Sequence, residues 1–108
     1  CDYDAANDKI VISYRNDGSS GYLNCNVGTI SGSSISFATP VVVASETSRY
    51  TTTNYTPSPY QRVIIGWAVN SGSYEGKARV GNIISGNIAF GTTYTFFSSS
   101  RVYYLQAT

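Results

Sequence analysis

The strongest constraint on the fold is a repeat, because one pattern of residues occurs twice, about 53 positions apart. The segment 10–14, Ile-Val-Ile-Ser-Tyr, returns at 63–67 as Val-Ile-Ile-Gly-Trp. The segment 35–37, Ile-Ser-Phe, returns at 88–90 as Ile-Ala-Phe. Repeats of this length are supersecondary units that bury their apolar faces against one another. We therefore predict two units, residues 1–48 and 49–108, that together make one compact protein.

Both units have the pattern of β-strands. Short β-branched and aromatic runs alternate with clusters of Gly, Ser, Asn and Asp, and no window of a dozen residues has apolar residues at helical spacing. We predict an all-β fold of two tandem four-stranded antiparallel units of propeller-blade type. The predicted strands are 9–15, 22–29, 34–43, 49–55, 62–69, 76–83, 87–97 and 101–106.

Alternation along these strands also predicts a core, since residues two apart share one face of a sheet. Apolar residues that recur in both units are the candidates for burial. They are Ile12, Ile35 and Phe37 in the first unit and Ile65, Ile88 and Phe90 in the second.

The last predicted strand is surplus to the repeat, and its composition favours pairing with another chain. An unpaired edge rich in Val, Tyr and Leu exposes backbone groups and apolar side chains that a second chain satisfies. We predict that this strand completes the first unit of a neighbouring copy. The assembly strand comprises Val102, Tyr103, Tyr104 and Leu105.

Most of both units resembles a tandem repeat of about 50 residues found in secreted or tail-fibre-like β-propeller proteins of aquatic microbes and their viruses. The likeness is carried by Tyr3-Asp4, by the run from Lys9 to Asn16, and by 27–37 and 39–43, Val-Gly-Thr-Ile-Ser-Gly-Ser-Ser-Ile-Ser-Phe and Thr-Pro-Val-Val-Val. It is weaker in the second unit, where 67–69 reads Trp-Ala-Val. The resemblance implies four-stranded blades and an extracellular setting, and it implies no catalytic residues.

The residue types argue against catalysis. The chain has no His, which excludes a Ser-His-Asp triad, a Cys-His pair and a His-based metal site. We interpret the acidic residues near the start, Asp2, Asp4, Asp8 and Asp17, as solvated turn residues rather than Ca²⁺ ligands or a carboxylate pair. The sequence therefore predicts a protein that is not an enzyme and has no metal or cofactor.

Charge and composition restrict the partners. Net charge is +1 and the seven basic residues are scattered, which argues against nucleic-acid binding. No apolar run approaches the roughly 18 residues of a membrane span. Low charge, many hydroxyl residues and the absence of Met and His favour an extracellular protein.

Aromatic and polar residues beside the turns are the best binding signal. Tyr side chains offer rigid amphipathic surfaces for sugar rings, and charged turn residues hydrogen-bond hydroxyls. We predict a glycan site formed by Arg15, Asn16, Asp17, Tyr22 and Tyr74.

Three residues carry further alternatives. Cys1 and Cys25 allow one disulfide, but Cys1 can equally bond another molecule or carry a lipid, and Cys25 fits a small buried apolar residue. Asn54 lies in an Asn-Tyr-Thr glycosylation sequon, which Pro57 directly after it disfavours.

The leading prediction of function is a non-enzymatic extracellular structural module whose copies share β-strands to form a filament or ring. The alternative is a multivalent carbohydrate-binding lectin of propeller type.

Overall fold

The fold is all-β and antiparallel, as predicted from the sequence. The computed structural model describes residues 1–5, 7–56, 62–69, 75–84 and 86–97. These residues form one antiparallel sheet of nine strands and a short 3₁₀ helix, Asp17–Ser19. The strands are β1 (Asp2–Asp4), β2 (Lys9–Asn16), β3 (Tyr22–Ser31), β4 (Ser34–Phe37), β5 (Val41–Thr56), β6 (Arg62–Val69), β7 (Gly76–Ile84), β8 (Asn87–Phe90) and β9 (Tyr94–Phe97).

The long strand β5 divides the sheet into two halves. The strand order is β1-β2-β3-β5-β6-β7-β8, with β4 paired to β3 and β9 paired to β7. Residues 41–47 of β5 pair with β3, and residues 48–56 pair with β6. The register slips between Arg49 and Thr52, where Tyr50 has a positive φ of 52°. β5 therefore carries the chain from the first half, β1–β4, to the second half, β6–β9.

The two halves have the same strand register. β3 pairs Gly28 with Phe37 in β4, and β7 pairs Gly81 with Phe90 in β8, at the offset of the sequence repeat. The same offset relates the β6–β7 pairs to the β2–β3 pairs, and the β7–β9 pairs to the β3–β5 pairs. Equivalent residues thus occupy equivalent places in the two halves.

Two predicted strands are broken, and two others are joined. The predicted strand 34–43 is split between β4 and β5 at residues 38–40, which include Pro40. The predicted strand 87–97 is split in the same place, between β8 and β9. β5 joins the predicted strand 49–55 to the end of 34–43 through bulges, and the strand 101–106 lies outside the described residues.

The core lies between the two halves, which pack face to face. One buried apolar cluster contains residues from both. Hydrogen bonds at its margin also join the halves: the Tyr55 N–H donates to Asp2 over 2.7 Å, and the Arg79 guanidinium donates to the Val43 carbonyl over 2.7 Å. The buried members are Val11, Leu23, Cys25, Val27, Val43 and Ala44 from the first half and Val63, Ile65, Trp67, Val69 and Ile88 from the second.

The predicted core is correct for Ile65 and Ile88 and wrong for Ile35 and Phe37. Ile65 and Ile88 are buried, but Ile35 is 49% exposed and Phe37 is 51% exposed. Ile12 is half-buried, as is Phe90. The reason is that the first half turns its other face, which carries Val11 and its neighbours, towards the second half.

Candidate functional site

Four of the five residues predicted to bind glycans lie together at the turn between β2 and β3. Asn16 precedes the 3₁₀ helix, and its side-chain carbonyl accepts a hydrogen bond of 3.0 Å from Gly18 N–H. Arg15 forms a salt bridge with Asp17, and both side chains are exposed. Tyr22 pairs with Asn16 across the β2–β3 ladder, while Tyr74 lies outside the described residues.

This turn is built from the same polar groups that were expected to bind sugar. Asn16 acts as an N-cap, which satisfies a backbone donor that would otherwise be unpaired. The Arg15 side chain crosses Gly21, whose positive φ of 74° suits glycine, and a Cβ there would lie 3.0 Å from Arg15 Nε. The turn presents hydrogen-bonding groups to solvent, and glycan binding there stays a prediction.

A polar cleft of about 440 Å³ lies where the β1–β2 turn approaches β5, β6 and the β7–β8 turn. Asp4 is a buried residue of its lining and accepts a hydrogen bond of 2.9 Å from the Asn7 side chain. Desolvation, followed by the hydrogen bond to Asp4, raises the pKa of the Tyr55 hydroxyl. The prediction that Asp4 is a solvated turn residue is wrong, because the second half covers it.

The other acidic residues near the start are also engaged within the protein. Asp2 accepts from the backbone N–H groups of Tyr3 and Tyr55. Asp8 accepts from the Tyr3 hydroxyl over 2.7 Å, which raises the pKa of Tyr3. In the described part of the chain, no three His, Cys, Asp or Glu residues are grouped to hold a metal ion.

Glu46 joins the halves at the opposite end of the core. The buried Trp67 donates its indole N–H to Glu46 over 3.3 Å, and Lys77 forms a salt bridge of 3.2 Å with the same carboxylate. These contacts of Glu46 were not predicted from the sequence. Nothing in the local sequence indicated them, because they come from three different strands.

The remaining candidate residues occupy separate places. Cys1 is exposed and Cys25 is buried, and the two thiols are free. Burial raises the pKa of Cys25 to about 12, so the interpretation of Cys25 as a small buried apolar residue fits its position. Asn54 is half-buried on β5 and pairs with Ile64. The assembly strand 102–105 lies outside the described residues.

The most extensive candidate surfaces are two exposed apolar sheet faces. The first, here called the Ile35 face, belongs to β2, β4 and the start of β5. The second, the Val80 face, belongs to β6–β9. The Ile35 face comprises Ile10, Ile12, Tyr14, Ile35, Phe37 and Val42, and the Val80 face comprises Ile64, Val80, Ile84, Ala89, Tyr94 and Phe97.

No helix in the described ranges is long and apolar enough to cross a membrane. No family model matches the chain, and no curated protein or solved structure is significantly similar to it. Any functional assignment therefore depends on the geometry described above.

Proposed function

We propose that this chain is a non-enzymatic, extracellular structural module whose copies assemble into a filament or a ring. Its two halves would be tandem four-stranded units of propeller-blade type. The observation that carries the proposal is the shared strand register of the two halves, which pack face to face with equivalent residues in equivalent places.

The path of β5 supports the comparison with propeller blades. Its first part lies on the outer edge of the first half, beside β3. Its second part is the first strand of the second half: it pairs with β6 as β1 pairs with β2. A chain that leaves one unit at its outer edge and enters the next as its first strand can add units indefinitely, as repeat proteins do.

The distribution of polar groups supports a structural role over an enzymatic one. Asp2, Asp4 and Glu46 each accept hydrogen bonds from other parts of the protein. Asp2 and Glu46, together with Lys77, join strands that are distant in sequence. They stabilise the contact between the halves and do not line the polar cleft, whereas Asp4 does.

Strand sharing through Val102, Tyr103, Tyr104 and Leu105 is the proposed link between copies. The experiment is to measure the native mass of the purified protein by light scattering and its shape by electron microscopy, with and without residues 98–108. We expect a regular oligomer or polymer from the whole chain and smaller particles after the deletion. A monomer at all concentrations would contradict the structural role. An unchanged assembly after the deletion would exclude strand sharing but would leave the structural role in place.

The second candidate function is a multivalent carbohydrate-binding lectin of propeller type. It is favoured by the grouping of Arg15, Asn16, Asp17 and Tyr22 at one exposed turn. On a glycan array, Arg15→Ala should abolish most sugar retention, while the control Arg49→Ala, at another exposed arginine, should not. An array without sugar-dependent binding would eliminate this candidate.

A further inference from the structure

Residues at equivalent positions of the two halves differ sharply in exposure. Ile88 is 7% exposed, but its counterpart Ile35 is 49% exposed. Val27 is buried, but its counterpart Val80 is 44% exposed. The strands around each pair have the same register, so local structure does not explain the difference.

The difference comes from which faces meet inside the protein. The face of β3 that carries Val27 packs against the face of the second half that carries Ile88, and β8 lies against β3. Each half has two sheet faces, one that carries Val27 or its counterpart Val80 and one that carries Ile88 or its counterpart Ile35. The contact inside the protein joins the Val27 face of the first half to the Ile88 face of the second. Two faces therefore remain exposed. On the first half it is the Ile35 face, which is equivalent to the buried Ile88 face. On the second half it is the Val80 face, which is equivalent to the buried Val27 face.

We propose that a second copy of this chain covers these faces, with the Ile35 face of one copy packed on the Val80 face of the next. The contact would repeat between copies the packing that already joins the two halves within one copy. This inference rests on the proposed structural role: strand sharing would extend the contact between copies, but copies would not join when these two faces cannot meet.

The two faces are complementary in chemistry. Asn24, Asn26 and Gly28 lie between the apolar side chains of the Ile35 face. Among the described strand residues, no charged side chain lies on this face. The Val80 face carries two exposed arginines, Arg49 on β5 and Arg62 on β6, and Asn82 lies beside Ala89 between its apolar side chains. Joining the two faces would bury apolar surface, while the long arginine side chains keep their charged ends in water.

The Val80 face also offers space for a side chain of a neighbouring copy. A recess of about 510 Å³ lies on the Val80 face, lined by residues that include Val80, Ala89 and Tyr94. On the first half, the equivalent region around Val27 belongs to the core cluster that Ile88 completes. Ile35 of a neighbouring copy, as the counterpart of Ile88, is the side chain placed to fill the recess.

The contact is head-to-tail, because the two surfaces that meet are different. Such an interface leaves one face of each kind open at the ends of a dimer, so further copies add until a ring closes or a filament grows. This property gives the proposal a test that a symmetric dimer would fail.

The test uses one blocked face per variant. Ile35→Glu blocks the first face and Val80→Glu blocks the second, and both replace side chains that are already about half exposed. Each variant alone should be monomeric by light scattering, because no two copies then present both intact faces. An equimolar mixture should give a 1:1 dimer and nothing larger, since only one intact face of each kind remains.

Two controls separate a blocked interface from damaged folding. Ser33→Glu adds the same charge at the exposed β3–β4 turn and should assemble like the unaltered chain. Ile84→Lys, at a residue 58% exposed, is a second block of the Val80 face and should reproduce the effect of Val80→Glu. Thermal melts of all variants should remain cooperative.

The outcomes distinguish this inference from the structural role on which it rests. If the unaltered chain assembles and the blocked variants assemble equally well, the face-to-face contact is wrong and the structural role stands. If one variant dimerises by itself and the other does not, the contact is symmetric and the inference is wrong. If the unaltered chain is monomeric, both proposals fail.

Discussion

The unequal burial of equivalent isoleucines predicts unequal losses of stability. Ile88→Ala and Ile35→Ala remove the same atoms from the same position of the repeat, in strands of the same register. Ile88 belongs to the core between the halves, whereas Ile35 is half exposed. We expect Ile88→Ala to lower the free energy of unfolding much more than Ile35→Ala does.

The magnitudes follow from burial. Truncating a buried isoleucine to alanine costs about 2–5 kcal/mol, because the transfer free energy is lost and a cavity remains. A side chain that is half exposed has gained only about half of the 1.5–3 kcal/mol of full burial, and its removal leaves no enclosed cavity. Ile35→Ala should therefore cost about 1 kcal/mol or less, which leaves a difference of roughly 2 kcal/mol between the two variants.

The assay is urea unfolding in the Val80→Glu background, in which copies should not join and Ile35 should remain exposed. The slope with denaturant should be the same for both variants, so that the difference in midpoint reports stability alone. Equal losses for the two variants would refute the assignment of the buried faces. A larger loss at Ile35 would mean that the halves pack through the other pair of faces.

Three further outcomes are expected. Burial raises the pKa of Cys25 from its ordinary value of 9.0 to about 12, so the native state favours the protonated thiol; stability should fall as pH rises from 9 towards 12, and Cys25→Ala should flatten that fall in alkaline melts. Gly81→Ala should cost about 1–3 kcal/mol in urea unfolding, because the new Cβ would lie 2.9 Å from the Phe90 ring; Gly28→Ala should cost less, because its neighbours face solvent and can shift. Glu46→Gln should cost about 1 kcal/mol at low salt and less at high salt, because it removes the ion pair with Lys77; an effect independent of salt would point to the indole hydrogen bond instead.

Strand positions were largely predictable, because they depend on local chemistry. β6 has the predicted bounds, Arg62–Val69, and β2, β3 and β7 differ from prediction by one or two residues at their ends. The division of the predicted strand 34–43 does not follow from Pro40 alone, because the equivalent division at 91–93 has no proline, and the continuity of β5 has no local signal either. β5 runs through a register shift between Arg49 and Thr52, where Tyr50 has a positive φ, and Tyr50 is not a residue type that indicates such a position in the sequence.

The choice of buried face was not predictable from alternation. Ile10 and Ile12 lie on one side of β2 and Val11 on the other, so both sides are apolar. Only the packing of the second half against the first selects the Val11 side. The repeat suggested identical burial in both units, but each half buries a different face.

The candidate site was predictable only in its local parts. Arg15, Asn16 and Asp17 are consecutive, so their grouping needs no knowledge of the fold. The contacts of Glu46 with Trp67 and Lys77 connect residues from distant strands, and no spacing in the sequence predicts them.

The most direct test of the account is a map of the contact between copies by cross-linking. Ile35→Cys and Val80→Cys would be placed in separate copies that also carry Cys1→Ser and Cys25→Ala, mixed, and treated with a short bismaleimide. Mass spectrometry of the digested product should find position 35 linked to position 80 and neither position linked to itself. Links of 35 to 35 or of 80 to 80, or no link between copies that do assemble, would contradict the head-to-tail contact of the Ile35 and Val80 faces.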